Sequence, residues 1–198
     1  MEQQFGPAEP IIQRDGTDEL DINAVACWSA GHTGQATFGR WWVLHTKPRC
    51  EKALAGDLKR LAIPHYLPLV WSKRTYGRRV TAVELPLFPG YLFMCGGAEE
   101  RYAALRTDRI AHVIVVEDQN RLRCDLQHIY RVVESDFPVD VYRGLRIGRR
   151  CRVVAGPLRG VEGVVLRRRD LARVYIEAAV IGQSAVIEID SALLEPID

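Results

Sequence analysis

Hydrophobic and polar positions divide the chain into three stretches. Residues 1–39 mix Gly, Pro, Asp, Gln and Thr without a sustained period of two or 3.6, which predicts a disordered extension in which Trp28 packs at most locally. At Arg40 the pattern changes abruptly. Arg40-Trp41-Trp42-Val43-Leu44-His45 is an aromatic and aliphatic run of strand length and reads as a central strand. Thr46 is placed to cap a helix that accepts Pro48 in its first turn. That helix carries Leu54, Leu58 and Leu61 at helical spacing, with Lys52, Asp57, Lys59 and Arg60 facing outward, and Pro64 stops it. Gly56 inside it costs about 1 kcal/mol relative to Ala, so it marks either a close helix-to-sheet approach or simply a tolerated glycine.

Extended segments follow at His65–Val70 and Arg79–Leu85, with Lys73-Arg74-Thr75-Tyr76-Gly77-Arg78-Arg79 between them as a basic loop or hairpin tip. In Leu87-Phe88-Pro89-Gly90-Tyr91-Leu92-Phe93-Met94 the Pro-Gly pair marks the start of a strand, since neither residue suits a strand interior. A short helix from Ala98 to Arg106, a buried strand at Ala111–Val116 and a helix capped by Asp125 come next. In the last helix Leu126, Ile129, Tyr130 and Val133 fall at i, i+3, i+4 and i+7. The order β-α-β-β-α-β with a terminal helix is the split β-α-β pattern, so the expected fold class is α+β.

Residues 136–147 hold Pro138 and Gly144 without amphipathic period, and the linker is placed at 138–147. Short strands alone are expected beyond it: Cys151–Val154, Gly163–Arg168, Arg173–Ala179 and Ala185–Ile189, the content of a small all-β barrel. The expected units are a 1–39 extension, a mixed domain at 40–137, the linker and a barrel at 148–198.

Composition narrows the class. With 198 residues, 47% of them hydrophobic, the chain suffices for one ordinary domain or two small ones. The net charge of +2 hides one Arg against six acids before residue 40 and a basic surplus after it. That surplus suits proximity to nucleic acid but is too interspersed with acids to establish tight binding. Five widely spaced cysteines without a C-x-x-C fit neither a disulfide framework nor a structural zinc site. No run of eighteen apolar residues and no secretory pattern at Met1-Glu2-Gln3-Gln4 is present, so a cytoplasmic protein with no membrane association is expected.

Catalytic patterns are missing from the sequence. It contains no G-x-S-x-G, no phosphate-binding Gly-Lys-Ser/Thr loop, no G-x-G-x-x-G opening a helix and no H-E-x-x-H. The histidines at 32, 45, 65, 112 and 128 are scattered, and Cys50 beside Arg49 has no organised base near it in sequence. A non-enzymatic protein without metal or cofactor is expected, with an enzyme using Cys50 as nucleophile as a remote rival.

Gly148-Arg149-Arg150-Cys151-Arg152-Val153-Val154-Ala155-Gly156-Pro157-Leu158-Arg159-Gly160-Val161-Glu162-Gly163-Val164-Val165 supplies tight turns between valine-rich strands. It resembles a KOW motif, the mark of small Src-homology-3-like barrels near transcription and translation. Ahead of it, Trp41-Trp42-Val43-Leu44-His45-Thr46-Lys47, the helix with Glu51, and Leu87-Phe88-Pro89-Gly90-Tyr91-Leu92-Phe93 stand at matching spacing. Together they are similar to the amino-terminal domain of the NusG family of transcription factors, over residues 40–198.

The resemblance implies a transcription elongation or antitermination factor, a monomer that binds RNA polymerase and suppresses pausing or termination. In the family, a hydrophobic depression docks the clamp helices of the largest polymerase subunit. The matching positions are Trp42, Phe88, Pro89, Tyr91 and Phe93. Aromatic anchors in a concave patch dominate interface energy, yet Tyr91 and Phe93 share one side of a strand and fit a core equally well. Arg106-Thr107-Asp108-Arg109 looks closer to specialised paralogues such as RfaH, although it lacks their Gly, and Arg106, Thr107 and Arg109 would contact the polymerase gate loop or nontemplate DNA.

In the barrel, Leu158 and Val161 replace two Phe of the general family's tip, and with Ile181 they are the expected apolar patch for Rho or the small ribosomal subunit. Lys73, Arg74, Arg78, Arg79, Arg167 and Arg168 are the candidate nucleic-acid contacts, to nascent RNA among others. The rival reading is an RNA-binding or ribosome-associated KOW module that does not bind polymerase.

Overall fold

The computed structural model describes residues 39–76, 79–135, 137–143, 148–168 and 171–197. The expectations for residues 1–38, Trp28 included, and for Arg78 lie outside these. Among the described residues the structure is mixed α/β, with three α-helices and three antiparallel sheets. The first part comprises β1 (Arg40–Thr46), α1 (Glu51–Arg60), β2 (His65–Tyr66), β3 (Leu69–Tyr76), β4 (Arg79–Pro86), β5 (Tyr91–Gly96), α2 (Ala98–Leu105), β6 (Ile110–Val115) and α3 (Gln119–Val133). Strands then follow: β7 (Asp140–Arg143), β8 (Arg149–Val153), β9 (Glu162–Arg168), β10 (Leu171–Ala178), β11 (Gln183–Asp190) and β12 (Leu194–Pro196).

The four-stranded sheet has the order β2-β5-β1-β6, which makes β1 central, as its aromatic run predicted. Strand side chains alternate between faces, so β1 feeds two cores. Trp41 and Val43, with Phe88 and Phe93, pack under Leu122, Leu126 and Ile129 of α3. Leu44, Leu92 and Met94 pack on the other face with Leu54 and Leu58 of α1 and Ala104 of α2. Strands β3 and β4 leave this sheet as a separate two-stranded ribbon.

Several local expectations are corrected. Thr46 does not cap α1: it ends β1, buried, and Lys47–Arg49 turn the chain so that Cys50 takes the cap position without a side-chain bond. A Cβ built on Gly56 would meet nothing within 4 Å, so no close approach requires that glycine. α3 starts at Gln119, where Asp118 accepts from the Arg121 N–H at 2.8 Å, and Asp125 lies inside the helix. The stripe reaches back to Leu122, which extends the apolar face by a turn. β6 is an edge strand with Ala111, His112 and Val115 exposed, not a buried one.

The 138–147 stretch is likewise not all linker, because β7 pairs with β11 and completes a six-stranded sheet of order β12-β8-β9-β10-β11-β7. There Gly163 is required by packing: a Cβ would stand 2.7 Å from the Tyr175 carbonyl oxygen on β10. The apolar cluster under β1 runs on through α3 into Cys151, Val153 and Ile176 of this sheet and into Leu158 and Val161 of the loop between β8 and β9. α3 is thus packed on both sides.

Candidate functional site

Phe88-Pro89-Gly90-Tyr91 is a tight turn closed by the Tyr91 N–H donating to the Phe88 carbonyl at 3.1 Å, with Gly90 at φ 88°. Proline second and a positive-φ glycine third is the type II pattern. Its placement is fixed twice. The Gly90 N–H donates to Glu51 Oε1 of α1 at 2.8 Å, and the Gly90 carbonyl accepts from the Thr46 N–H of β1 at 2.8 Å. The Tyr91 ring is half-buried, 5.1 Å from the ring of His45, its register partner on β1. Pro89 and His45 are exposed, so Pro89, Tyr91 and His45 form the accessible end of the turn. In the sequence Glu51 and His45 stand only within the stretches that carry the family resemblance, and it is the folded turn that brings them to Gly90 and Tyr91.

The five expected anchor positions do not form one patch. Phe88 and Phe93 are fully buried beneath α3, edge-to-face with ring centroids 6.4 Å apart. Trp42 lies on the opposite face of the sheet, beside the α1–α2 core. Its Nε1 donates to the Gly96 carbonyl at 3.0 Å, and the guanidinium groups of Arg40 and Arg101 lie 5.4 and 5.0 Å from its ring. The period of two separates Trp42 from Trp41 and Val43.

The segment after α2 is stapled down. Thr107 Oγ1 donates to the Ala104 carbonyl at 2.7 Å, and Arg109 donates from Nε to the Asp57 carboxylate, which also receives Arg60. The Arg109 hydrogen bond, with the charges of Arg109 and Arg60, holds the Asp57 carboxyl below its ordinary range. Lys47 Nζ meets Asp108 Oδ1 at 2.7 Å, and the Lys47 N–H donates to the Arg109 carbonyl at 2.8 Å. Arg109 is therefore engaged with α1, while Arg106 is exposed.

On the ribbon, Trp71 is 61% exposed. Lys73 and Arg74 lie opposite Ala82 and Thr81, and Arg79 lies opposite Tyr76, so the basic positions run along its outer half rather than at the tip alone. A 3.3 Å ion pair of Lys52 with Glu84 ties the ribbon base to α1.

Leu158 and Val161, expected on an exposed patch, are buried, and Ile181 is half-buried. Their loop lies against α3, where Arg131 Nη1 donates to the Arg159 carbonyl at 3.3 Å. Arg167 and Arg168 end β9 in register with Ala172 and Leu171. Asp125 of α3 is buried against the same sheet, beside a cleft of about 330 Å³. A carboxylate inside the apolar period of α3 was the sequence signal for that seam.

Among the described residues no group of three or more His, Cys, Asp or Glu is arranged to hold a metal ion. No helix there is long and apolar enough to cross a membrane.

Residues 39–131 match the model of the NusG family, described as "Transcription termination factor nusG". No curated protein matches the chain. Among solved structures it is similar to a chain of "Crystal Structure of MjSpt4:Spt5 complex conformation A". That similarity has 12% identity and a TM-score of 0.25, and covers 80% of this chain and 98% of that one. A superposition that loose equates no individual elements.

Proposed function

Residues 39–131 form a domain of the NusG family, and from that premise we propose that the protein is a transcription elongation or antitermination factor. On this reading residues 40–137 bind RNA polymerase and suppress pausing or termination, while residues 148–198 recruit a second factor. The sheet order β2-β5-β1-β6, with its β1-α1-β2 and β5-α2-β6 crossings, is taken as the split β-α-β fold. The six-stranded sheet is taken as a KOW unit to which β7 adds a strand.

The observation that carries the reading is that one family match spans β1, α1 and the Phe88–Tyr91 turn together. Docking is assigned to Pro89, Tyr91 and His45 at the accessible end of that turn. Phe88 and Phe93 are the buried base that fixes its shape, and exposed Arg106 is assigned to the gate loop or nontemplate DNA. Ile181 is the remaining candidate, among the three expected tip residues, for contact with Rho or the small ribosomal subunit.

The test is binding of the full chain to cognate core RNA polymerase, wild type against Tyr91→Ala, with folding verified by circular dichroism. Saturable binding weakened at least tenfold in a folded variant supports the assignment. No binding by folded wild type overturns it.

One observation favours the second reading, an RNA-binding module. Exposed Trp71 sits on a ribbon whose residues 72–83 include Lys73, Arg74, Arg78 and Arg79 and no acid. RNA affinity without polymerase binding would select it.

A further inference from the structure

Across a cleft of about 330 Å³, helix α3 faces one side of β8, β9 and β10. Strand register sets the floor. Arg152 of β8 lies opposite Glu162 of β9, and Arg150 lies opposite Val164, which in turn lies opposite Tyr175 of β10. Glu177 stands two residues beyond Tyr175, on the same side of β10 by the period of two. Arginines therefore occupy one flank of the cleft and a carboxylate the other, two strands apart. The helix continues this division. Asp125, 8% exposed, and Arg121 lie over the β10 flank, since Arg121 Nη2 is 3.3 Å from Glu177 Oε2 and Asp125 Oδ2 accepts from the Ala179 N–H at 3.1 Å. His128 lies toward the β8 flank, in the fields of Glu162, Arg131, Arg150 and Arg152.

Each flank is short of a counter-charge, and the two shortages are of opposite sign. On the β10 flank one guanidinium serves two carboxylates: Arg121 Nε stands 3.5 Å from Asp125 Oδ1 while its Nη2 serves Glu177. On the β8 flank one carboxylate serves two guanidiniums: Glu162 takes Arg152 at 2.7 Å and Arg150 at 3.6 Å. Arg152 also lies 3.8 Å from Glu195, whereas the contact of Arg150 is long. Poorly compensated charges at a partly closed cleft cost free energy that a matching ligand recovers. No single ion meets both shortages. We propose that this cleft binds a small zwitterion, a free α-amino acid, with its ammonium between Asp125 and Glu177 and its carboxylate on Arg150 and His128. The proposal is independent of whether the chain binds polymerase. The cleft volume is of the size that small-molecule sites take. Strands β8 and β10 stand about 10 Å apart, and two charge-assisted hydrogen bonds of about 2.8 Å leave roughly 4 Å, which suits an ammonium and a carboxylate carried on one carbon. Gly163 and Val164 supply the uncharged floor for the amino acid's own side chain.

The titration of the cleft agrees with this division. Burial, reinforced by Glu177 and opposed by the Ala179 N–H and Arg121, pushes the Asp125 carboxyl up to about 6, as expected of a carboxylate without a full counter-ion. Burial holds the His128 ring below its ordinary range, and Arg131, Arg150 and Arg152 act in the same direction against Glu162. A bound ammonium lowers the first value and a bound carboxylate raises the second. Asp118 and Cys124 are the other titratable groups on the cleft wall.

The experiment titrates the full chain with each of the twenty common L-amino acids up to millimolar concentration, read by calorimetry and by the amide shift of Ala179, with circular dichroism as the check on folding. At least one is expected to bind saturably and to shift Ala179. Saturation should also lower the Asp125 midpoint seen at that amide from near 6 toward the ordinary carboxylate range, a change that binding elsewhere on the surface does not produce. The tightest amino acid is then compared with its decarboxylated amine and its deaminated acid, each expected to bind at least tenfold more weakly. Glu177→Gln and Arg150→Gln, both folded, should each weaken the amino acid at least tenfold. If no amino acid binds folded wild type, or if the amine or the acid alone binds as tightly as the zwitterion, the proposal is overturned.

Discussion

Arg109, two residues past α2 and its turn, donates from Nε to the carboxylate of Asp57 on α1, 52 residues earlier in the chain. The bond ties the segment after α2 to α1, and it determines which arginine of the 106–109 segment remains for a partner. Asp57 accepts both Arg109 and Arg60 while its side chain is only 11% exposed. Arg106 therefore presents its charge outward, and Arg109 acts chiefly to hold the segment in place.

The Asp57 carboxyl is depressed in the folded chain, so its contribution is complete above the ordinary carboxylate range and disappears as the pH falls through the depressed value. Asp57→Asn is expected to lower Tm by roughly 2–4 °C at pH 7, the scale of one partly exposed ion-pair network in a chain of this size. At pH 3, below the ordinary carboxylate range, the gap between the two proteins should be narrower. Parallel melting curves offset equally at both pH values would show that the loss is steric rather than electrostatic.

Gly56 stands in the middle of α1 with open space where a Cβ would be. Gly56→Ala is expected to raise stability by about 0.5–1 kcal/mol, since the helix keeps its contacts and the unfolded chain loses freedom. A urea midpoint that rises with unchanged slope is the expected result. A lowered midpoint would mean that something packs against that position.

How much of this was legible follows from what each signal encodes. Pro89-Gly90 specifies a turn whatever surrounds it, and the chain makes that turn there. The Trp41–His45 run demanded burial on both faces and became the central strand β1. Asp125, by contrast, has the pattern of a helix cap in the sequence, a lone acid ahead of an apolar stripe, yet lies inside α3. Only the sheet packed against α3 reveals a buried group, and Leu122, one turn earlier, was the overlooked sign that the helix had already begun. β7 carries no strong period of its own and forms because β11 offers it an edge. The five aromatic and proline positions were grouped by motif, although the period of two already assigned Trp42 to the face opposite Trp41.

Phe93 and Tyr91, two residues apart on β5, should separate folding from docking. Phe93→Ala removes a fully buried ring that meets Phe88 edge-to-face and is expected to cost about 3–5 kcal/mol, measured by urea unfolding. Tyr91→Ala removes a half-buried ring and is expected to cost clearly less while weakening polymerase binding. Equal destabilisation by the two would make Tyr91 a core residue and shift the docking assignment toward Pro89 and His45.

Trp71 reports on the ribbon. It is largely exposed, and Lys73, Arg74, Arg78 and Arg79 follow without an acid through residue 83, so phosphates and bases have cations and an aromatic face within one arm. Single-stranded oligonucleotide is expected to quench tryptophan emission. Four phosphate contacts on a single strand correspond to a slope of about −3 in log affinity against log salt. Trp71→Phe should remove most of the quenching and leave that slope, because stacking and charge act separately. Arg74→Glu should flatten it by more than one contact, since it adds a repulsive charge as it removes an attractive one. If emission is unchanged by oligonucleotide at low salt, the ribbon is not a nucleic-acid arm, and its cations serve a protein surface instead.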